Sequence, residues 1–398
     1  MTAKIYLKHG REASVLRFHP WVFSGAVANV VGKPAEGDIV GVFSSDGQFL
    51  AAGHWQIGSI AVRLLSFAGD PESPTFWQDA LGAALQARVA MGLAGSRRTT
   101  CYRLVHGEGD GLPGLIVDWY DGVAVLQAHS AGMFRAKNQI CEALQAVYGS
   151  KLKAVYDKSS GTAPFKAGLD LVDGYIYKAP GYEDGPRTVL ENGHKFLVDW
   201  TEGQKTGFFL DQRENRALVE RYSKGRKVLN LFCYTGGFSV YALGGGAVKV
   251  DSVDSSAKAI ALASKNLELN GFAPEQHGEI CADVKDYLGT LEPDAYDLII
   301  VDPPAFAKHR GALGTALRAY QRLNAAAISA VAPGGFVFTF SCSQVVDRQT
   351  FLETVFSAAA QTGRRVRVLD RLCQPADHAV NIYHPEGEYL KGLLLYVE

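Results

Sequence analysis

Paired cysteines are missing from this sequence. Its six cysteines, Cys101, Cys141, Cys233, Cys281, Cys342 and Cys373, stand singly, with no C-x-x-C spacing. That argues against a structural zinc site or a redox dithiol, and scattered thiols suit a reducing compartment. Excess charge is missing too: 40 basic and 41 acidic residues leave a net charge of −1. Any nucleic-acid surface must therefore come from local clustering. No apolar run reaches membrane-spanning length, and the opening MTAKIYLKHGREASVLRFHP is too polar for a secretory signal. Internal repeats and low-complexity tracts are also lacking. A cytoplasmic protein is expected, with no membrane partner and no metal.

What is present is a globular composition, 47% apolar over 398 residues, too long for one ordinary core. Three segments are expected. Residues 1–72 carry short β segments with Gly, Pro and Asp breaks (SVLRFHPWVFSG, EGDIVGVFSSDGQFLAAGHW, SIAVRLLSF), as in a small barrel or closed sheet. FAGDPESPT reads as a linker. Residues 73–187 alternate helix-like FWQDALGAALQARVAMGL and AGMFRAKNQICEALQAVYG with strand-like stretches, giving a small α+β module. Residues 188–398 alternate strand and helix signals from KVLNLF through FVFTFS, the pattern of βαβ units on a mostly parallel, doubly wound α/β sheet.

Three places in the last segment could carry chemistry. In LNLFCYTGGFSVYAL a strand ends near Phe232, Gly236 and Gly237 turn the chain, and a helix opens, so backbone can approach a nucleotide-like ligand closely. The turn lacks a full G-x-G-x-x-G and could equally be a packing turn. The next strand, however, ends at Asp254, where a carboxylate can accept both hydroxyls of a ribose. In EICADVKDYL, Asp283 either receives an adenine amino group or caps a helix, and both can hold at once. In YDLIIVDPPAF a buried strand runs into Asp302-Pro303-Pro304, a loop stiffened by two prolines and suited to holding a planar base beside a nucleotide cofactor.

These three motifs, in this order, resemble the S-adenosylmethionine (SAM)-dependent methyltransferase fold, a Rossmann-like domain. The resemblance implies that Asp254 holds the ribose, Asp283 the adenine side, and that Asp302 faces the methyl group and the target. Asn230 stands where that fold often has an acid. Over nearly the whole chain, RFHPWVFSGAV, YRLVHGEGDGLPGLIVDWY, ENGHKFLVDWTEGQKTGFFLDQRENR, VDPPAFAK, TFSCSQ and HPEGEYLKG look like the bacterial large-subunit ribosomal RNA cytosine-C5 methyltransferase I family. That resemblance implies a PUA domain at the N-terminus, SAM as cofactor and large-subunit (23S) ribosomal RNA as partner. The oligomeric state is left open, a homodimer included. It also implies that Phe209, Asp211 and Arg213 border the cofactor. Phe232, Tyr234 and Gly236 would join them from the turn, and Ser255 from beside Asp254.

Cytosine C5 is a poor nucleophile. It becomes enamine-like when a thiolate adds to C6, so the reaction needs one cysteine beside the base and a group that stabilises the adduct. In GGFVFTFSCSQ a strand leaves the core at Ser341-Cys342-Ser343. A lone cysteine is commonly a packing residue. The strand end, the nearby Asp-Pro-Pro and the family resemblance assign Cys342 as nucleophile and Asp302 as the group that orients the base. Cys233, in the cofactor turn, is the rival and reads as packing. Two competing functions are methyl transfer to a purine nitrogen or exocyclic amine, and a non-catalytic RNA-binding role. RNA contacts are expected at Lys8, Arg17 and His19 and, beside the Asp-Pro-Pro loop, at Lys308 and Arg310, with steep salt dependence. HGEGDGLPG reads as a tight turn, not a metal loop.

Overall fold

The computed structural model describes residues 1, 3–164, 167–307 and 309–398. The chain forms two compact units: Met1–Val189 with Val198–Leu210 and Ala376–Gly387, and Leu190–Leu197 with Asp211–Pro375 and Glu388–Glu398.

The first unit begins with strands β1 (Ala3–Leu7), β2 (Trp21–Phe23), β3 (Val27–Val31), β4 (Ile39–Phe43), β5 (Phe49–Trp55) and β6 (Ile60–Ser66). They make one six-stranded sheet, order β2-β6-β5-β4-β1-β3. Ile5, Leu7, Val40, Val42, Val62 and Leu64 alternate onto its inner face and form its core. Part of SVLRFHPWVFSG, read as strand, is instead the short helix α1 (Ala13–Leu16). Only Val15 of that turn is buried, so a continuous strand would have had no inner face.

Helix α2 (Phe76–Ala90) follows, and ends three residues before the expected stretch did. Then come β7 (Cys101–His106), β8 (Leu115–Tyr120) and β9 (Val123–Ala128). The expected single helix after them is two, α3 (Ala131–Arg135) and α4 (Lys137–Tyr148), meeting at Ala136. The Ser130 side chain caps α3 by accepting from Met133 N–H. Strands β10 (Ala154–Asp157) and β11 (Gly174–Lys178) complete a five-stranded sheet, order β11-β10-β9-β8-β7. Leu81, Leu104, Leu126, Ile140 and Leu144 bind helices to sheet in one core.

β12 (Arg187–Glu191) and β13 (His194–Val198) form a hairpin. The second unit is built on a seven-stranded sheet. Helix α5 (Arg213–Tyr222) leads to β14 (Lys227–Leu231), α6 (Gly237–Gly244), β15 (Lys249–Asp254), α7 (Ala257–Leu269), β16 (His277–Cys281) and α8 (Val284–Leu288). Then follow β17 (Tyr296–Val301), α9 (Leu313–Ala330), β18 (Val331–Ser341), α10 (Arg348–Thr362), β19 (Val366–Cys373) and β20 (Lys391–Val397). The strand order is β16-β15-β14-β17-β18-β20-β19. β14 to β18 are mutually parallel, and β20 is antiparallel to both of its neighbours.

Helices cover both faces of this sheet. On one, Asn230 of β14 donates to Ser239 of α6 at 2.8 Å. On the other, Leu229, Leu231, Ile299 and Val301 share a core with Tyr320 and Leu323 of α9 and Phe351 of α10. Because β14 lies between β15 and β17, the chain reverses its direction of travel there. The carboxyl ends of β14 and β17 thus flank a crevice, the usual ligand position in such sheets. Among the described residues no helix is long and apolar enough to cross a membrane.

Candidate active site

The parallel register places the sequence motifs on one rim. Val301 is level with Thr339, so Asp302 leaves β17 beside Phe340, and Cys342 follows two residues later, just past the end of β18. The turn after β14 faces the same way, as do Asp254 and Cys281 at the ends of β15 and β16. Since β20 runs the other way, its first residue, Lys391, is paired with Ser341 and joins this rim.

The turn Phe232–Gly236 is conformationally costly. Phe232 (φ 57°) and Tyr234 (φ 44°) occupy the left-handed region, with Gly236 (φ 72°). Non-glycine residues persist there only where surrounding structure holds them, commonly at ligand sites. Part of the restraint is Asp254, whose Oδ2 accepts from Tyr234 N–H at 3.0 Å while Oδ1 accepts from Ser256 N–H at 2.9 Å. Gly236 has a packing role as well, because a Cβ there would stand 2.7 Å from Ala263 Cβ. Asp283 caps α8, with Oδ1 accepting from Lys285 N–H at 2.8 Å. Ser255 is exposed, and its carbonyl receives the Cys281 thiol at 3.7 Å. Asn230 Oδ1 is buried without a hydrogen-bond partner. A strained turn, carboxylates ending the second and third strands of the βαβ run, and a crevice beside them form a donor and acceptor set that fits SAM.

Asp302 is held from behind. Gln212 Nε2 donates to its Oδ2 at 3.0 Å, and Gln212 Oε1 accepts from Asn215 Nδ2 at 2.6 Å. Asn215 is anchored in turn on the Cys373 carbonyl at 3.2 Å. Asp211 is buried and accepts from Tyr389 OH at 2.7 Å. Arg213, also buried, donates to Glu214 at 3.0 Å. Phe209 belongs to the first unit, where Lys205 Nζ stands 4.2 Å from its ring centroid.

Two of the rim cysteines, Cys233 and Cys342, differ sharply. Cys233 is buried, and burial, reinforced by Asp254, pushes its thiol well above the usual value. That makes it a poor nucleophile and agrees with its packing role. Cys342 is partly exposed. Its flanks are tied down: Ser341 Oγ donates to Tyr320 OH at 3.0 Å, and Ser343 Oγ donates to the Ala307 carbonyl. Burial, with the nearby Cys342 and Asp302 charges, pushes the Tyr320 phenol up to about 12, so it stays protonated.

The residues expected to meet RNA differ in exposure. Arg17 and Arg310 are exposed, whereas Lys308 lies outside the described residues. Lys8 donates to the Gly25 carbonyl at 2.9 Å and lines a cavity of about 510 Å³ with Tyr6, His9 and Asn29. His19 is less available than its sequence position implied. It is half-buried, accepts from Trp21 N–H at 3.1 Å, and packs against the His384 ring at 5.5 Å. With Glu386, these two imidazoles bring ligand-type atoms within 4.8 Å of one another, a grouping that distance in sequence concealed.

Sequence reasoning missed Gln212, Tyr320, Tyr389 and Lys391. Gln212 and Tyr389 sit inside quoted motifs but carry no chemical signature of their own. Lys391 had one available signal, a lone cation opening the apolar run GLLLYV.

Fold and rim define a class: a SAM-dependent methyltransferase joined to a PUA-like domain. The S-adenosylmethionine-dependent methyltransferase family model matches residues 102–382, and a PUA-like domain model matches residues 5–67. The chain belongs to the ribosomal RNA large subunit methyltransferase I family. It is 41% identical to the family member of Aeromonas hydrophila and 40% identical to that of Aeromonas salmonicida, each match covering 99% of both chains. A methyltransferase solved in complex with S-adenosylhomocysteine (SAH) superposes with a TM-score of 0.84 at 25% identity, covering 99% of this chain and 100% of the other.

Proposed function

We propose that this enzyme forms 5-methylcytosine in large-subunit (23S) ribosomal RNA through a covalent adduct between Cys342 and C6 of the target base. The observation that carries the reading is the shared rim. A partly exposed cysteine and a braced aspartate end neighbouring strands beside the crevice, while the rival Cys233 is buried with its thiol pushed up. The relatives named ribosomal RNA large subunit methyltransferase I supply the substrate class.

When bound, SAM supplies a methyl group on a sulfonium centre, open to attack by an electron-rich carbon. Asp254 and Ser255 would receive its ribose, Asp283 its adenine, and the Phe232–Gly236 turn its amino-acid portion. Asp211 and Arg213 would border it. The Cys342 thiolate attacks C6 of a base taken out of its stack, forming S–C6 and leaving electron density on C5. Asp302, as a carboxylate, accepts from the exocyclic amine and keeps the ring in place. Once C5 is alkylated, a base takes the C5 proton. The C5–C6 double bond returns, and Cys342 leaves with the S–C6 electron pair. Residues 188–398 form the Rossmann-like catalytic domain in this reading. The PUA-like segment 1–72 and the module 73–187 add RNA contacts, Lys8, Arg17 and His19 among them, and Arg310 adds one after the Asp-Pro-Pro loop.

Nucleoside mass spectrometry tests it, using unmodified large-subunit ribosomal RNA and deuterated-methyl SAM. Labelled 5-methylcytidine is expected, falling roughly 10³-fold or more in Cys342→Ala. Label on guanosine or adenosine, or full activity in Cys342→Ala, would sink the cysteine mechanism.

A further inference from the structure

Lys391 is an unusual residue to find where it is. It is 4% exposed. Lysine is almost never buried to this extent unless paired, because desolvating an ammonium group is costly. Yet among the described residues no carboxylate lies within ion-pair distance of its Nζ. Its hydrogen-bond partner is the Ser343 carbonyl, at 2.6 Å. That carbonyl belongs to the residue directly after Cys342. The strand register explains the approach: Lys391 opens β20 opposite Ser341, so its side chain reaches the point where β18 gives way to the Cys342 loop.

Among the described residues, the other charged groups acting on Lys391 are already engaged. Arg348, at the start of α10, is ion-paired with Glu388. Asp347 caps the same helix by accepting from Thr350 N–H at 2.7 Å. Cys373 of β19 is opposite Lys391 in register but exposed. The Tyr320 phenol also lies close to Cys342 and stays protonated, so it brings no counter-charge.

We propose that Lys391 is the positioning residue that activates Cys342: its ammonium group is the counter-charge that holds the thiol as thiolate, and its hydrogen bond to Ser343 fixes the loop carrying it. The proposal rests on the Cys342 reading above. The proton balance is simple. The thiol proton passes to the lysine amine or to water, leaving an S⁻/NH₃⁺ pair, and the same thiolate returns when the adduct collapses. Burial depresses the Lys391 ammonium to about 8, and the Cys342 charge is the largest of those acting on it, upward. It thus remains mostly charged at neutral pH while lying close enough to its usual limit to exchange a proton.

The test reads the thiol directly and needs no turnover. The intact protein is treated with iodoacetamide from pH 5 to 9, and alkylation of the Cys342 peptide is followed by mass spectrometry. Lys391→Gln keeps a donor for the Ser343 carbonyl but removes the charge, whereas Lys391→Arg keeps the charge. The midpoint for Cys342 should rise by roughly one to three units in Lys391→Gln, cutting alkylation at pH 7 about tenfold or more. Lys391→Arg should hold it near the wild-type value. Circular dichroism establishes that each variant is folded. An unchanged midpoint in folded Lys391→Gln overturns the proposal, as would equal upward shifts in Gln and Arg variants, which mark a packing effect. These outcomes are independent of Cys342→Ala activity, so loss of the covalent mechanism and loss of the charge pairing are told apart.

Discussion

In the proposed mechanism Asp302 acts as an aimed carboxylate, and Gln212 is the side chain that aims it. The amide gives Oδ2 a neutral donor at 3.0 Å and is itself held by Asn215. Gln212→Glu replaces that donor with a second acid. Like charges raise each other's pKa, so Asp302 would ionise only at higher pH. The acidic limb of the methylation–pH profile should move up by about one unit, while SAM affinity measured by calorimetry stays near wild type. An unmoved limb would mean that ionised Asp302 is not needed. The candidates themselves were legible: motifs alone single out Asp302, Cys342 and Asp254. The brace was not, because Gln212 and Asp302 are 90 positions apart in sequence.

At the scale of elements, Asp283 stands at the junction of β16 and α8 and could serve helix, ligand or both. Two substitutions separate the roles. Asn caps a helix about as well as Asp, whereas Ala costs on the order of 1 kcal/mol. Asp283→Ala should therefore lower the urea midpoint, and Asp283→Asn should not. If the carboxylate also serves the cofactor, both variants bind SAM more weakly by several-fold in calorimetry. Retained affinity in Asp283→Asn would reduce the residue to a cap. Most elements were readable from spacing and composition, including every strand from β14 to β18. The misreadings were local. The division of α3 from α4 at Ala136 has no proline or glycine to mark it. The stretch before Trp21 was taken for strand because its apolar residues are too few to set a period. β20 opens inside the string HPEGEYLKG and β19 lies outside every motif; neither was read as an element.

For the molecule as a whole, the N-terminal sheet carries a built-in acid sensitivity. His54 on β5 is 4% exposed, and a Cβ at Gly132 would meet its ring at 2.1 Å, so the imidazole fills a site that only glycine leaves open. Burial, aided by the Arg63 charge, lowers it from 6.5 to about 4. Its folded pKa lies below the unfolded one. As pH falls from about 6.5 to 4, the unfolded chain takes up a proton that the folded chain refuses, and stability drops by on the order of 3 kcal/mol. Below pH 4 this contribution stops growing. His54→Asn should be less stable at pH 7 through lost packing, yet show a flatter decline in urea midpoint across that window. A parallel decline in both proteins would place the acid sensitivity elsewhere.

The amino-acid sequence by itself determined the class of chemistry. The signals for a SAM-dependent methyltransferase are short-range: a turn after a strand, an acid at the end of the next, and Asp-Pro-Pro. Each depends on residues within a few positions of one another, and local composition records such signals. Only the tertiary structure decided how those groups are supported. The antiparallel insertion of β20 beside β18 brings Lys391 to the Cys342 loop from 49 residues away, and the approach of α5 to β17 puts Gln212 on Asp302. Burial then sets Cys233 apart from Cys342, raising one thiol and leaving the other partly exposed. Desolvation and long-range contact are properties of the packed chain, and no window of sequence contains them.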